Sequence, residues 1–335
     1  VDNSQLPSER QKSLRRHFAP VLKNHPDLKL RVLFRKGTRV GPNAFALPGG
    51  WMVFFRGMIT SMDSEGELAG VMAHEMSHVY YRHISERIRR SGPVNAVTMA
   101  GMLAGLILGG LAGVPELGQA ITMGSMAGGI QKQLEFSRED ERQADYGAFL
   151  IISKVGYPPE EMEKSFARIY REQRHTMPDV PGYLLTHPTS PERMETLQNL
   201  ARRHPVKDAS YDNSEFLRIR TKLIALYDNE DTAQRKLMHQ TNSKSIDERE
   251  LARYGMGLLE MRRKLYERAL KHLQLVGGKW KDSPAVIRAQ AICLLRLGQF
   301  GQAHDMIDEG AGRVHLVRRQ RAQGQHALGL GDHAV

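Results

Sequence analysis

One cysteine in 335 residues excludes an intrachain disulfide framework and any zinc site built from several thiolates, so a metal would have to be held by histidine and carboxylate. That residue, Cys293, lies in the apolar run Ala289-Gln-Ala-Ile-Cys-Leu-Leu295, the setting of a small buried hydrophobe rather than a reactive thiol. Uncharged runs long enough for a membrane are also scarce. Ser91 to Pro115 carries no charge, and Leu117 to Ile130 is a second, shorter uncharged stretch after Glu116. With a mean hydropathy of −0.45, a multi-span membrane protein is excluded. The chain begins at Val1 without an initiator Met or an apolar leader, as expected of a mature exported chain or a trimmed one. Acidic residues are outnumbered, 37 Asp and Glu against 48 Lys and Arg, for a net charge of +11. Anionic surfaces are therefore partners to weigh. Nucleic acid is not expected, because no recognition motif or basic–aromatic platform accompanies the charge.

What is present suits a globular protein. Hydrophobic residues at 41% and charged residues at 25% disfavour global disorder, and the length suggests two domains. Residues 1–27 read as helix and then turn. Leu28 to Phe34 alternates apolar and polar residues with the period of a half-buried strand. Pro48-Gly49-Gly50 then separates two β-prone runs between Asn43 and Phe55, which is hairpin punctuation. A small antiparallel sheet is expected there. Ser64 and Glu67 are spaced as a capping box, with Leu68, Val71, Met72 and Val79 on one face, predicting a helix to about Arg90. Further helices are expected over Phe136–Ser153 and from Pro159 to about Gln173.

Beyond Pro205 the pattern is helical throughout. Tyr266 aligns with Phe300 and Ala269 with Ala303, both at an offset of 34, the tetratricopeptide period. A weaker earlier unit has Ala233 at the small position, and another begins at Gly331-Asp-His333.

The chemistry concentrates in Ala73-His-Glu-Met-Ser-His78. His74 and His78, four apart on a helix, share a face and can ligate one Zn²⁺, while Glu75 beside them can take a proton from a water. A polar helix surface is the competing reading; the capped helix after a hairpin argues against it. A catalytic zinc needs a third protein ligand and an open position, and two residues compete. His83 would suit a metzincin only with Gly at 81 and His at 84, where this chain has Tyr81 and Ile84; it reads instead as a surface residue or a partner to a ligand. Glu141 in Ser137-Arg-Glu-Asp-Glu-Arg-Gln-Ala-Asp145 is the better third ligand, with Asp145 one turn on to accept the outer N–H of a ligand histidine. Glu139 and Asp140 are expected to point into solvent.

His74-Glu-Met-Ser-His78, Asn43-Ala-Phe-Ala-Leu-Pro-Gly-Gly50 and Ser137-Arg-x-x-Glu-x-x-Ala-Asp145 together resemble the gluzincin peptidases of metallopeptidase family forty-eight. That group includes HtpX, the CaaX-processing proteases and a periplasmic subgroup with a C-terminal tetratricopeptide array. The resemblance covers roughly residues 30–200. It implies an α+β gluzincin domain over 1–205, mostly helical with a small antiparallel sheet, followed by an all-α repeat domain over 206–335. It further implies one Zn²⁺ on His74, His78 and Glu141, Glu75 as general base and acid, Asp145 supporting a ligand, and an edge strand near Trp51 to Phe55 that holds peptide by strand addition. His187-Pro-Thr-Ser-Pro-Glu-Arg193 matches a downstream element of the group. His187 would either stabilise the oxyanion or occupy the open zinc position in a self-inhibited state, and Arg193 would anchor its loop through a carboxylate.

Two functional readings follow from the resemblance. One is a periplasmic zinc endopeptidase for misfolded or misassembled envelope proteins, its repeats binding clients or outer-membrane assembly machinery. The other is chiefly a chaperone or assembly factor with a latent peptidase. The apolar insert 91–130 lies between His78 and Glu141, which must meet at one metal, so its membrane crossings must be even in number; only its first stretch is long enough for one. Two helices forming a lid, touching a membrane surface peripherally, are expected instead.

Overall fold

The computed structural model describes residues 30–35, 42–90, 137–175, 183, 187–188, 191–205 and 211–308. The expected helix within 1–27, the insert 91–130 and the repeat start at 331–333 lie outside these residues. The described chain is mostly helical with one small sheet, and it divides into two compact units, Val1–Asn213 and Ser214–Val335.

In the first unit, strands β1 (Arg31–Arg35), β2 (Ala44–Leu47) and β3 (Trp51–Phe55) form a sheet in the order β1-β3-β2. The hairpin between β2 and β3 is present, with Leu47 opposite Trp51. Its turn puts Gly49 and Gly50 at φ +79° and +81°, a region that costs glycine nothing. The sheet is not all antiparallel, however. Strand β1 runs parallel to β3, from Arg31 opposite Trp51 to Arg35 opposite Phe55. Alternation along Leu28–Phe34 reports a pleated strand but not its direction, and no tight turn ties β1 to its neighbour. A second correction follows from the strand order. Trp51–Phe55 is the central strand, paired on both sides, so it cannot accept a peptide by strand addition.

Helix α1 (Arg56–Ser61) leads to α2 (Glu65–Tyr80). The Ser64 side chain accepts from the Glu67 N–H at 3.0 Å, but Glu67 reaches past Ser64 to accept from the Asp63 N–H at 2.8 Å and from Arg168 Nε at 2.9 Å. The expected capping box is thus half made. Every residue from Gly66 to Val79 is buried, because α2 is packed by β2, β3, α4 (Arg138–Lys154) and α5 (Glu160–His175) together. Each large apolar side chain so enclosed contributes roughly 1.5–3 kcal/mol. Instead of running on to Arg90, the helix closes at Tyr81, Arg82 takes φ +57°, and α3 (His83–Arg90) starts afresh. No glycine or proline signals this break. Helix α4 carries a complete capping box between Ser137 and Asp140, so Asp140 is occupied there rather than free in solvent. Glu139 is exposed and pairs with Arg142. Helix α6 (Pro191–Arg203) follows. The unit boundary falls after Asn213 rather than near 205, since Tyr211 donates to Glu161 at 2.9 Å and Asn213 Oδ1 accepts from the Glu65 N–H at 2.8 Å.

The second unit consists of α7 (Ser214–Tyr227), α8 (Glu230–Gln240), α9 (Ile246–Arg262), α10 (Tyr266–Gln274), a 3₁₀ turn (Gly278–Trp280), α11 (Pro284–Arg296) and helical backbone over 300–308. Helix α9 packs on α7, α8, α10 and α11. Ala233, Ala269 and Ala303 are fully buried, at points where a larger side chain would separate helices. Cys293 is buried too, and burial pushes its thiol up to about 11, consistent with a packing role. No described helix is long and apolar enough to cross a membrane.

Candidate metal centre

Helix α2 turns His74 and His78 to one side, with their Nε2 atoms 3.0 Å apart. Helix α4 brings Glu141 to the pair, each of its oxygens 3.4 Å from one imidazole Nε2. His187, in the segment before α6, adds Nδ1 at 3.4 Å from His74 Nε2 and 3.0 Å from Glu141 Oε1. All four side chains are buried, and their donor atoms lie within 4.8 Å of one another. Nitrogen and oxygen donors on a tetrahedral ion of zinc's size are about 3.3–3.5 Å apart, from bond lengths of about 2.0–2.2 Å. Three of the separations above, at 3.4 Å, fall in that range, and two, at 3.0 Å, are shorter than it.

Partners on the outer side of each ring decide where the lone pairs point. Asp145 Oδ1 lies 3.0 Å from His74 Nδ1, and a carboxylate there holds the hydrogen on Nδ1. His78 Nδ1 meets His83 Nδ1 at 2.9 Å. With both outer nitrogens engaged, the two Nε2 lone pairs face each other, an arrangement that needs a cation between them. A proton or a metal ion serves. Arg193 of α6 donates to both oxygens of Asp145, at 2.7 and 2.8 Å, reaches Glu141 Oε2 at 2.6 Å and donates to the Pro188 carbonyl at 2.6 Å. One guanidinium thereby fixes both carboxylates and the segment that carries His187.

In the absence of metal, burial works against charge on His74, but Asp145 and Glu141 outweigh it and raise the group from 6.5 to about 9. Burial, reinforced by His74, holds His78 well below its ordinary value. The shared His74–His78 edge then carries a proton, which a metal would displace. A group raised in the folded state stabilises it fully below its unfolded value and loses that effect as the pH rises through the folded one. Metal-free protein is therefore expected to lose His74's contribution between about pH 6.5 and 9. Urea denaturation across that window checks this, and a midpoint that climbs there with pH would contradict it.

Glu75 is fully buried, and burial raises its carboxyl above the ordinary range. Its Oε1 lies 3.4 Å from His187 Nε2. The structure thus brings together every residue singled out from the sequence: His74, Glu75, His78, Glu141, Asp145, His187 and Arg193. His83 lies beside this donor cluster at 6% exposure, not on the surface. Two aromatic walls escaped sequence reasoning. Tyr183 stacks on His187 at 4.6 Å, and Phe166 sets its ring edge-on to His74 at 5.2 Å and beneath Arg193 at 5.4 Å. Neither has a spacing signal, because each reaches the site from a different segment.

Residues 9–201, more than half of the chain, match the model of Peptidase family M48. The chain belongs to this family. It is 31% identical over 229 residues to the putative beta-barrel assembly-enhancing protease of Vibrio cholerae, covering 68% of this chain and 46% of the relative. It is 29% identical over 238 residues to the beta-barrel assembly-enhancing protease of Escherichia coli, covering 69% and 47%. A similarity of 28% over 177 residues extends to the mitochondrial metalloendopeptidase OMA1 of Saccharomyces cerevisiae, covering 52% and 47%. The chain spans just under half the length of these relatives. Within the M48 chain, the buried His74, His78, Glu141 and His187 are a donor set suited to a metal ion.

Proposed function

We propose that this M48 chain is a zinc-dependent endopeptidase acting on misfolded or misassembled proteins of the bacterial envelope. The observation that carries the reading is the buried cluster of four metal-type donors with Glu75 beside it. His74, His78 and Glu141 hold the ion; when bound, it supplies Lewis acidity toward water and the scissile carbonyl. Glu75 takes a proton from the attacking water and returns it to the leaving amine. Asp145 holds His74 in the ligating tautomer, and Arg193 holds Asp145 and Glu141. Zinc analysis of purified protein tests the ligand set. Glu141→Gln is expected to lower zinc affinity at least about 10-fold, whereas full affinity would point to another third ligand.

The periplasmic assignment and the envelope clients rest on relatives named for enhancing β-barrel assembly. We assign the peptidase to the first unit, ending at Asn213, and tetratricopeptide-like repeats that bind clients or assembly machinery to the second. The fully buried Ala233, Ala269 and Ala303, with each of α7, α9 and α11 packed on the next in this set, support the repeat reading. Strand β2, at an outer position of the sheet and packed on α2, is the better placed to hold an extended peptide.

One observation favours the second reading, an assembly factor with a latent peptidase. His187 Nδ1 lies at the fourth corner of the donor set, where a substrate or water would otherwise bind. Under this reading His187→Ala raises basal cleavage of an unfolded protein several-fold; a fall instead assigns His187 to the oxyanion.

A further inference from the structure

We infer that His83 is a positioning residue for the metal site, selecting the tautomer of His78 that can ligate; this rests on the zinc reading above. A histidine binds a metal through a nitrogen lone pair, so His78 must carry its hydrogen on Nδ1 to leave Nε2 available. Among the described residues, the group that meets His78 Nδ1 is a second imidazole, His83 Nδ1 at 2.9 Å. An imidazole can donate or accept, so its own hydrogen must be placed. Gln143 Oε1 does so, 3.2 Å from His83 Nε2 and an acceptor only; Asp140 Oδ1, 3.8 Å away, is beyond hydrogen-bond reach and adds negative charge on that side. The hydrogen of neutral His83 therefore sits on Nε2, its Nδ1 accepts, and His78 donates from Nδ1 with its Nε2 lone pair directed at the donor set.

The fold is arranged locally to hold this contact. The left-handed turn at Arg82, φ +57°, reverses the chain between His78 and His83, so that a side chain five residues on returns to the same ring. A continuous helix would carry residue 83 about 500° around the axis, well off the face of His78. Tyr81 then stacks on the His83 ring at 5.5 Å and 18°. Tyr81 fits there because Gly147 of α4 has no side chain: a Cβ would meet Ser77 Oγ at 2.8 Å and Tyr81 Cε2 at 3.0 Å. His83, at 6% exposure, is enclosed by its own turn and by α4.

Zinc affinity of metal-free protein, measured by competition with a chelator of known strength, tests the inference without reference to catalysis. His83→Leu removes the acceptor and is expected to weaken zinc about 10–100-fold. In His83→Asn, Oδ1 takes the place of Nδ1 and can only accept from His78, so its affinity is expected within about threefold of the wild type. The d–d absorption of bound Co²⁺ is expected to be wild-type in His83→Asn and altered in His83→Leu. Equal zinc affinity in the wild type and His83→Leu overturns the inference alone, as does equal weakening in the Leu and Asn variants. A wild type that binds no zinc overturns the metal reading and this inference with it. Should His83→Leu not fold, Gln143→Leu at an exposed position carries the test: about tenfold weaker zinc supports the inference, and zinc affinity within about threefold of the wild type overturns it.

Discussion

Glu75→Gln is expected to lower peptide cleavage about 10²–10⁴-fold while leaving the zinc content unchanged. The amide keeps the size of the side chain and its place on α2, but it cannot take a proton from water at neutral pH. Burial is what makes the native group effective. It pushes the Glu75 carboxyl above its ordinary range, toward the value at which a group both accepts a proton from water and gives it up to an amine. Glu75 is not one of the four clustered donors, so metal should be retained. The check is cleavage of an unfolded protein substrate alongside metal analysis of the same preparation. Unchanged cleavage would remove Glu75 from the mechanism, and loss of zinc would make it a ligand.

The second large effect is on stability. Arg193 donates to both oxygens of Asp145 and pairs with Glu141, and all three side chains are buried. Burial opposes the charge on each carboxylate, yet both are held below their ordinary range, Asp145 by His74 and Arg193, Glu141 by His187 and Arg193. Replacing the guanidinium leaves two buried negative charges without the cation they share. Arg193→Met is expected to cost metal-free protein about 3–5 kcal/mol, measured as a fall in urea stability, with part of the loss recovered when zinc neutralises Glu141. Arg193→Lys should rescue little, since one ammonium cannot span Asp145, Glu141 and the Pro188 carbonyl. A metal-free midpoint equal to the wild type would contradict this account.

The readings that carried over into the structure are those that depend on neighbours along one helix. His74 and His78 share a face because they are four apart, and Glu141 and Asp145 lie one turn apart whatever surrounds them. Burial of Ala233, Ala269 and Ala303 follows a spacing visible in the chain. Where a partner had to come from elsewhere, the same reasoning failed. The edge strand that the resemblance implied near Trp51 to Phe55 is the central one, because a local motif does not fix a strand's place in its sheet. Sequence periodicity extended α2 to Arg90, because the left-handed residue there is Arg82 rather than the glycine that normally signals such a turn.

The His74-Glu75-His78 motif and the Glu141–Asp145 spacing are thus properties of the linear chain, since helical geometry alone relates the members of each, and a single cysteine already excludes a site of several thiolates. The meeting of Glu141 and His187 with the histidine pair, the guanidinium that spans two carboxylates and the Tyr183 stack arise only when distant segments close on α2, and the His83 contact only through the left-handed turn at Arg82. Burial is the physical reason for the difference. Several of these groups have little interaction with one another in water, and only after α4 and α6 exclude water around α2 do their hydrogens and charges have to be shared at contact distance.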